Sequence, residues 1–328
     1  MTYGTARHSR ARSSADQPLF SVVIPAFNVA PFIDATLQSL AAQTCRDFEV
    51  VVVDDGSTDD TIARAQTVVR REGLRGRVVA RPGDVPKGVS GARNHAARLA
   101  CGEWLAFLDA DDLFEPTKLE CCERIVEEFG ATPGAMHHAA RYFDHESGDI
   151  VHASNPGAPA GDDLLETLLE RNCVTTSTVV VHRTCFETAG GFDPQLNGVE
   201  DYWLWIRIAK RWKWRYIAEP LTRYRMRAGS LMVRRPFSHY VAQFTALLTV
   251  AESSRELTAA EMAVLRRSVL DGTIRFFAGK AARQDGVVGL LPGALHLARS
   301  GHAGYAAALI YGQLRARALR WAVERRQS

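Results

Sequence analysis

Residues 103–112 read EWLAFLDADD, an apolar run that ends in three carboxylates within four positions. The apolar part is typical of a buried strand, and the acid groups follow directly at its carboxyl end. Two carboxylates about 4 Å apart repel each other by roughly 4 kcal/mol at an effective dielectric near 20, so a compensating cation is expected. The stretch therefore predicts a strand that delivers Asp109, Asp111 and Asp112 to one edge of a sheet.

This acidic cluster has two interpretations. Mg²⁺ and Mn²⁺ prefer oxygen ligands and leave coordination positions for substrate phosphates, which favours a metal that holds a nucleoside diphosphate. The alternative is a solvated acidic loop that caps the helix predicted to begin near Pro116. A lone Asp-x-Asp recurs by chance, so the rest of the chain has to decide between them.

The composition is that of an ordinary globular protein. The chain has 328 residues, of which 46% are hydrophobic and 23% charged, and this length suggests two domains or one domain with a large extension. A formal net charge of +3 gives no reason to expect nucleic acid as a partner. The six cysteines show no Cys-x-x-Cys spacing, which disfavours zinc and favours a reduced compartment. Without a signal peptide or an apolar run of roughly 18 residues, we expect a cytoplasmic protein with a disordered leader over residues 1–17.

Apolar runs alternate with helical patterns through the first 130 residues. Runs at 20–25, 48–53 and, more weakly, 77–80 predict strands, and the segments between them carry apolar residues at helical spacing. Such alternation implies right-handed crossovers and a mainly parallel, doubly wound sheet, in which ligands bind beyond the carboxyl ends of the strands. Several polar or turn-forming residues follow predicted strands: Pro25, Asp54, Asp55, Asp109 and Asp111. Their expected convergence favours the metal interpretation.

Beyond residue 130 the pattern becomes a mixture of short strands and loops. We predict a hairpin over 142–152, a loop over 155–159, a strand over 179–181 and a buried helix from Tyr202 that follows Glu200-Asp201. Two further strands are predicted at 213–217 and 222–226, and the chain reads as helical from about Pro236.

Five short motifs occur in an order that resembles the inverting glycosyltransferases of family 2, which have the GT-A fold. They are Val23 to Asn28, Val53 to Ser57, Gly91 to Asn94, Asp109 to Asp112, and Glu200-Asp201. Any one of them is weak, but five in order are specific, and the match covers about residues 19 to 230. The resemblance implies an α/β protein with a Rossmann-like, doubly wound mixed sheet and a helical C-terminal extension. The implied domains are the nucleotide-sugar-binding half over 18–130, the acceptor-binding half over 131–235 and the helical region over 236–328.

The resemblance also implies roles for individual residues. Pro25, Ala26, Phe27 and Asp55 would contact the nucleobase and its surroundings, and Arg93 would help to hold the nucleotide. Asp109 would reach the ribose or the metal, Asp111 would ligate the metal, and Asp201 would be the catalytic base. The implied cofactor is Mg²⁺ or Mn²⁺, the donor a nucleoside-diphosphate sugar such as a UDP-sugar, and the acceptor a glycan, a lipid-linked sugar or a small molecule.

One position departs from the family pattern. Many members carry a histidine two positions after a Tyr-Arg pair, whereas this chain has Arg227 after Tyr224-Arg225. A guanidinium can neutralise a diphosphate directly. The substitution puts in doubt a third protein ligand for the metal and a strict dependence on metal.

Each assignment has a purely structural alternative. Asp55 could close an Asx turn, Arg93 could be a solvated helix charge, and Asp201 could be an N-cap. The tryptophans at 203, 205, 212 and 214 read as core, although one ring could stack on an acceptor sugar. The histidines at 95, 137 and 138 read as helix-surface or hydrogen-bonded core residues.

Other functions were weighed against this interpretation. The first turn, Pro25 to Asn28, lacks the Gly-x-Gly-x-x-Gly of a dehydrogenase, and a sugar nucleotidyltransferase would need a glycine-rich basic loop there. A catalytically degenerate nucleotide-sugar-binding protein stays as the non-enzyme alternative.

The C-terminal segment over 307–326 interleaves apolar residues with arginines. Such a helix could pack on the catalytic domain, or it could lie peripherally on the inner face of a membrane.

Overall fold

A computed structural model describes residues 17–153, 164–227, 237–270, 290–299, 301, 305–307 and 310. Most of the predicted leader, the predicted loop over 155–159 and most of the basic C-terminal segment lie outside the described residues. The predictions for these segments stay predictions.

The first half of the sheet is parallel, as the alternating pattern predicts. Strands β1 (Phe20–Ala26), β2 (Phe48–Asp54), β3 (Gly76–Ala80) and β4 (Trp104–Phe107) lie in the order β3-β2-β1-β4. Their central strands are buried on both faces, which explains why they read as continuous runs of valine and other apolar residues. The carboxyl ends of β1, β2 and β4 therefore meet at one edge.

Four helices cover the two faces of the sheet, of which the first three connect these strands and the fourth follows them. They are α1 (Ala30–Ala41), α2 (Thr61–Arg71), α3 (Val89–Leu99) and α4 (Lys118–Phe129). Thr117 is the N-cap residue of α4 and makes no side-chain capping bond, whereas Gln43 Oε1 accepts from Leu119 N in the first turn at 3.1 Å. The interpretation of the acidic loop as a helix cap is therefore wrong.

The second half of the sheet is mixed. It contains β5 (Leu113–Phe114), β6 (Ala135–Asp144), β7 (Ile150–Ala153), β8 (Val180–His182) and β9 (Trp214–Met226). The order continues from β4 through β8, β6 and β9 to β5, with β7 on the free side of β6. Only β6 and β9 are parallel here, and the other pairs are antiparallel. This confirms the predicted doubly wound mixed sheet and the predicted hairpin, although β6 begins earlier than expected.

Strand β9 corrects the prediction of two separate strands at 213–217 and 222–226. Its pairing with β6 shifts between His138 and Ala139, so that Ile217 pairs with His138 and Pro220 with Ala139. The extra residues form an irregularity, where a proline without an N–H group is tolerated. The continuous strand carries Tyr224 and Arg225 from the core to the edge where β4 ends.

The remaining elements are helical. They are α5 (Leu165–Glu170), a 3₁₀ turn (Thr176–Thr178), α6 (Arg183–Thr188), α7 (Glu200–Ala209), α8 (Phe237–Ser254), α9 (Ala259–Arg267) and α10 (Leu291–Arg299). Helices α8 to α10 account for the predicted helical region after Pro236. Within the ranges that the structure describes, no helix is long and apolar enough to cross a membrane.

Alternate residues of the strands pack into two hydrophobic cores, one on each face of the sheet. Val22 and Val52 pack with α1, α2 and α4 on one face, whereas Val23 and Val51 pack with α3, α7 and the C-terminal helices on the other. Three tryptophans lie fully inside the second core, as the sequence predicts: Trp203, Trp205 and Trp214. These three rings are therefore unavailable to an acceptor sugar.

His137 and His138 are buried on strand β6, which confirms their interpretation as core residues and not as helix-surface ones. In the described part of the chain, His137 Nδ1 and His138 Nε2 have no hydrogen-bond partner. Burial lowers the pKa of His137 to about 4 and that of His138 well below its usual value, so both rings are neutral.

Gly91 in the first turn of α3 permits a close approach that positions Arg93. A Cβ atom at residue 91 would overlap the carbonyl oxygen of Pro86, whereas Gly83 has open space around it. We expect Gly91→Ala to lower the free energy of unfolding by about 2 kcal/mol, because backbone has to shift. Urea denaturation measures this, with Gly83→Ala as the matched control. Equal stabilities of the two variants would contradict the steric explanation.

Candidate functional site

The residues after β1 are hydrogen-bonded to the loop that follows β2. Asn28, in the left-handed conformation at φ 50°, donates its N–H to Ser57 Oγ at 2.9 Å and accepts from Thr58 N at 2.8 Å. Pro25 is half-buried, Ala26 is buried and the Phe27 side chain is 49% exposed. The residues predicted to contact a nucleobase therefore lie on a braced edge with one exposed aromatic ring.

Two aspartates at the end of β2 have separate roles. Asp54 Oδ2 accepts hydrogen bonds from the N–H groups of Gly56 and Ser57, at 3.1 and 2.9 Å, and so closes the Asx turn. Asp55 pairs with Arg81 and accepts from Gly88 N at 2.8 Å. The alternative that Asp55 itself closes the turn is wrong, and its carboxylate instead joins β2 to the start of α3.

Arg93 is buried, which rules out the alternative of a solvated helix charge. Its Nη1 donates to Glu200 Oε1 at 2.9 Å and its Nη2 donates to Asp109 Oδ1 at 2.6 Å. Burial opposes its charge, but the two carboxylates outweigh burial and raise its pKa. Arg93 thus connects the acidic turn after β4 to the N-terminus of α7.

The three carboxylates after β4 differ in exposure. Asp112 is 1% exposed, and its carboxylate accepts from Ser177 Oγ at 2.6 Å and from Arg225 N at 2.9 Å. Burial, together with Asp111 and Asp109, raises the pKa of Asp112 well above its usual range. Asp109 and Asp111 keep 30% and 23% of their side-chain surface exposed, so these two are accessible to a ligand.

Arg227 pairs with Asp111. Its Nη2 lies 2.8 Å and its Nε 3.0 Å from Asp111 Oδ2, and its guanidinium stacks over the ring of Phe32. Arg225 donates to the backbone oxygen of Asp111 at 2.7 Å and lies against the same ring. Burial and Asp109 raise the pKa of Asp111, and Arg227 opposes that shift. The end of β9 therefore supplies positive charge to the acidic turn.

The residues fit a metal ion that is completed by a substrate. Mg²⁺ commonly binds proteins through one or two carboxylates and takes its other ligands from phosphates and water. Asp109 and Asp111 provide such a pair, and the pKa of Asp111 is raised first by burial and then by repulsion from Asp109, which a cation would relieve. Among the residues whose placement is described, no group of three or more His, Cys, Asp or Glu side chains could hold a metal.

Asp201 lies in the first turn of α7, whose N-cap is Val199, so the N-cap alternative is wrong. The half-buried carboxylate accepts from Thr176 Oγ1 at 2.8 Å and from Tyr202 N at 2.6 Å. Burial and the neighbouring Glu200 raise its pKa to about 6, although Arg93 and Thr176 act in the opposite direction. A carboxyl group with such a pKa suits proton transfer near neutral pH.

The sequence interpretation missed the hydroxyl-rich turn over residues 175–178. Ser177 Oγ bonds to Asp112 and accepts from Asp109 N at 3.0 Å. The Ser177 carbonyl accepts from buried Lys118 at 2.8 Å and from Thr222 at 2.9 Å. The only signal in the sequence was a run of four hydroxyl residues before a strand. This turn joins the acidic cluster to the Thr176 hydroxyl that contacts Asp201.

The chain is similar to known glycosyltransferases. Residues 21–188 match the glycosyl transferase family 2 domain. Over 186 residues, the chain is 34% identical to the PGL/p-HBAD biosynthesis glycosyltransferase of Mycobacterium tuberculosis, covering 56% of this chain and 67% of that protein. It is 30% identical over 235 residues to the UDP-Glc:alpha-D-GlcNAc-diphosphoundecaprenol beta-1,3-glucosyltransferase WfaP of Escherichia coli, covering 71% and 86%.

Two solved structures have a similar fold. S. aureus TarS, residues 1–349 in complex with UDP-GlcNAc, matches with a TM-score of 0.65 at 18% identity, covering 90% of this chain and 92% of that one. Mannosyltransferase PcManGT from Pyrobaculum calidifontis, in complex with GDP-Man and Mn²⁺, matches with a TM-score of 0.54 at 22% identity, covering 92% and 88%. The likeness confirms the predicted GT-A fold with its helical C-terminal region.

Proposed function

Because the chain belongs to glycosyl transferase family 2, we propose that it transfers a sugar from a nucleoside-diphosphate sugar to an acceptor hydroxyl with inversion. One observation carries this proposal: the partly exposed carboxylate of Asp109, two positions before Asp111 in the same turn, is tied through Arg93 to Glu200 on the helix that presents Asp201. Donor-binding and proton-accepting groups thereby belong to one connected site. A UDP-sugar is the expected donor.

The donor is proposed to bind along the ends of β1, β2 and β4. Pro25 to Phe27 and Asp55 would contact the nucleobase, and Arg93 would lie beside the nucleotide. Asp109 and Asp111 would hold Mg²⁺ or Mn²⁺, which when bound supplies positive charge for the leaving diphosphate. Arg227 is paired with the carboxylate of Asp111 and would contact the diphosphate. No protein acid is then required for the leaving group.

Asp201 is proposed to accept the proton of the attacking hydroxyl. A neutral alcohol is a poor nucleophile, and a positioned base removes its proton as the new bond forms. The Thr176 hydroxyl and the Tyr202 N–H fix the orientation of the carboxylate. If the acceptor approaches from the face opposite the diphosphate, a single displacement inverts the anomeric carbon.

The acceptor class follows from the relatives. The Escherichia coli relative is named for an acceptor in which GlcNAc is joined to diphosphoundecaprenol. We propose a glycan, lipid-linked or small-molecule sugar acceptor for this chain, used on the cytoplasmic side, with peripheral membrane contact through the basic C-terminal segment.

The test is a panel of sugar nucleotides. Thermal shift with and without Mn²⁺ identifies the donor, and hydrolysis or transfer of that donor separates an enzyme from a degenerate binding protein. The proton coupling constant of the product at the anomeric carbon reports its configuration. Retention of the donor's configuration would refute the single displacement, and binding without turnover would favour the degenerate protein.

We expect transfer at saturating donor to rise with pH through about 6. Asp201 has a pKa raised from its ordinary value to about 6, so below that pH it is protonated and cannot accept a proton. Thr176→Val should move the midpoint of the profile to higher pH, because the lost hydroxyl donates to the ionised carboxylate. A flat profile between pH 5 and 7, or an unmoved midpoint in Thr176→Val, would contradict the assignment of Asp201.

A further inference from the structure

Three aromatic rings lie side by side on neighbouring strands at one end of the sheet. Tyr142 of β6 pairs in register with His152 of β7 and with Tyr224 of β9. The centroid of the Tyr142 ring lies 5.7 Å from that of His152 and 5.1 Å from that of Tyr224. His152 is exposed and the two tyrosines are half-buried. Because residues in register share a face of the sheet, the rings form one aromatic surface with an open end.

This surface adjoins the residue assigned as the base. Tyr142 Oη is hydrogen-bonded to Thr175 Oγ1 at 3.1 Å, and the next residue, Thr176, donates to Asp201 at 2.8 Å. Two consecutive hydroxyl side chains thus connect the aromatic surface to the carboxylate of Asp201.

The other end of the surface adjoins the acidic turn. Tyr224 is followed by Arg225, whose N–H bonds to Asp112 at 2.9 Å and whose guanidinium bonds to the backbone oxygen of Asp111 at 2.7 Å. The surface therefore extends from the neighbourhood of Asp201 to the neighbourhood of the carboxylates that face the donor.

The order of the strands separates this surface from the nucleotide. Residues assigned to the nucleobase lie at the ends of β1 and β2, and the carboxylates of Asp109 and Asp111 follow β4. Beyond β4 the order continues through β8 to β6 and β9, which carry the aromatic rings. The nucleotide is assigned to the side of these carboxylates where β1 and β2 lie. An acceptor that attacks the donor has to enter from the other side, where β6 and β9 lie.

We propose that Tyr142, His152 and Tyr224 form the subsite on which the sugar ring of the acceptor stacks. The proposal rests on the proposed function and adds the place and chemistry of acceptor binding. A pyranose presents a C–H face that packs on aromatic rings, and its hydroxyls suit the polar groups at the edge of the surface. Of the tryptophans that the sequence offered for this purpose, Trp203, Trp205 and Trp214 are buried in the core, and Trp212 packs against it, partly buried.

The experiment uses saturation-transfer NMR on the full chain with UDP, diamagnetic Mg²⁺ and a panel of methyl pyranosides of glucose, galactose, mannose, rhamnose and N-acetylglucosamine. We expect transfer to the ring protons of at least one glycoside, reduced at least fivefold in His152→Ala. Val151→Ala, a change at the neighbouring exposed position of the same strand, should leave the signal unchanged. Tyr142→Phe keeps the ring and should retain the signal.

Two results would overturn the proposal. Either no glycoside of the panel receives saturation from the wild-type chain, or His152→Ala behaves like Val151→Ala. The UDP resonances in the same samples report the donor site independently. Loss of the glycoside signal alone would refute the acceptor subsite, whereas absence of a UDP signal from the wild type would refute the proposed UDP-sugar donor.

Discussion

Asp201→Asn is expected to lower turnover by roughly 10²-fold or more while donor affinity stays the same, as when a general base is lost and binding groups remain. Asparagine has the shape of aspartate but cannot accept the proton. The side chain of Asp201 contacts Thr176 and the N–H of Tyr202, neither of which is assigned to the donor. Steady-state rates and calorimetric titration of the donor measure the two quantities separately.

The stability of this variant provides its control. The pKa of Asp201 is raised to about 6 in the folded protein, above its ordinary value of 3.8, so ionisation of this group destabilises the fold as pH rises through about 6. Removal of the charge should therefore leave the melting temperature at pH 7.5 unchanged or higher. An equal loss of donor binding, or a clear loss of stability, would make Asp201 a structural residue.

Local patterns were sufficient for the parallel half of the sheet and for the placement of the acid groups. Val50 to Val53 can only be a strand buried on both faces, and the polar residues that follow such strands must meet at one edge. The position of Asp109 and Asp111 follows from this reasoning alone. The same reasoning failed for β9, since a proline within the run looks like an end unless the irregular pairing with β6 is known.

Partners distant in sequence could not be predicted. Arg93 has the pattern of a surface helix charge until Glu200, 107 residues away, is known to lie beside it. Thr176 and Asp201 are likewise 25 residues apart, in segments whose relative placement depends on how β8 packs on β4. Periodicity indicates which face of an element is buried, but it carries no information on which side chain lies opposite.

The departure at residue 227 is clearer in the structure than in the sequence. The family pattern suggested only that arginine replaces a histidine that assists the metal or the diphosphate. The guanidinium of Arg227 lies against the carboxylate of Asp111, so the substitution places a fixed positive charge at the proposed metal ligand. Asp111 therefore has a cationic partner before any donor arrives, and the effect of its removal can be predicted with more precision.

Asp111→Asn is expected to abolish transfer and most of the Mn²⁺-dependent gain in donor affinity, because a charged ligand is lost without a change in side-chain size. The paired charge of Arg227 is also released, so metal-independent donor binding should persist through its contact with the diphosphate. Titration of the donor with and without Mn²⁺ measures the metal-dependent and the metal-independent parts of the donor affinity.

Asp112→Asn is the matched control for this prediction, one position away in the same turn. Asp112 is buried, and its pKa lies well above its usual range, so a neutral amide resembles the protonated side chain that burial favours. We expect this variant to keep the Mn²⁺ effect. If the metal effect survives in Asp111→Asn and disappears in Asp112→Asn, the metal ligand is the buried carboxylate of Asp112. The exposed carboxylate of Asp111 would then only position Arg227 for its contact with the diphosphate.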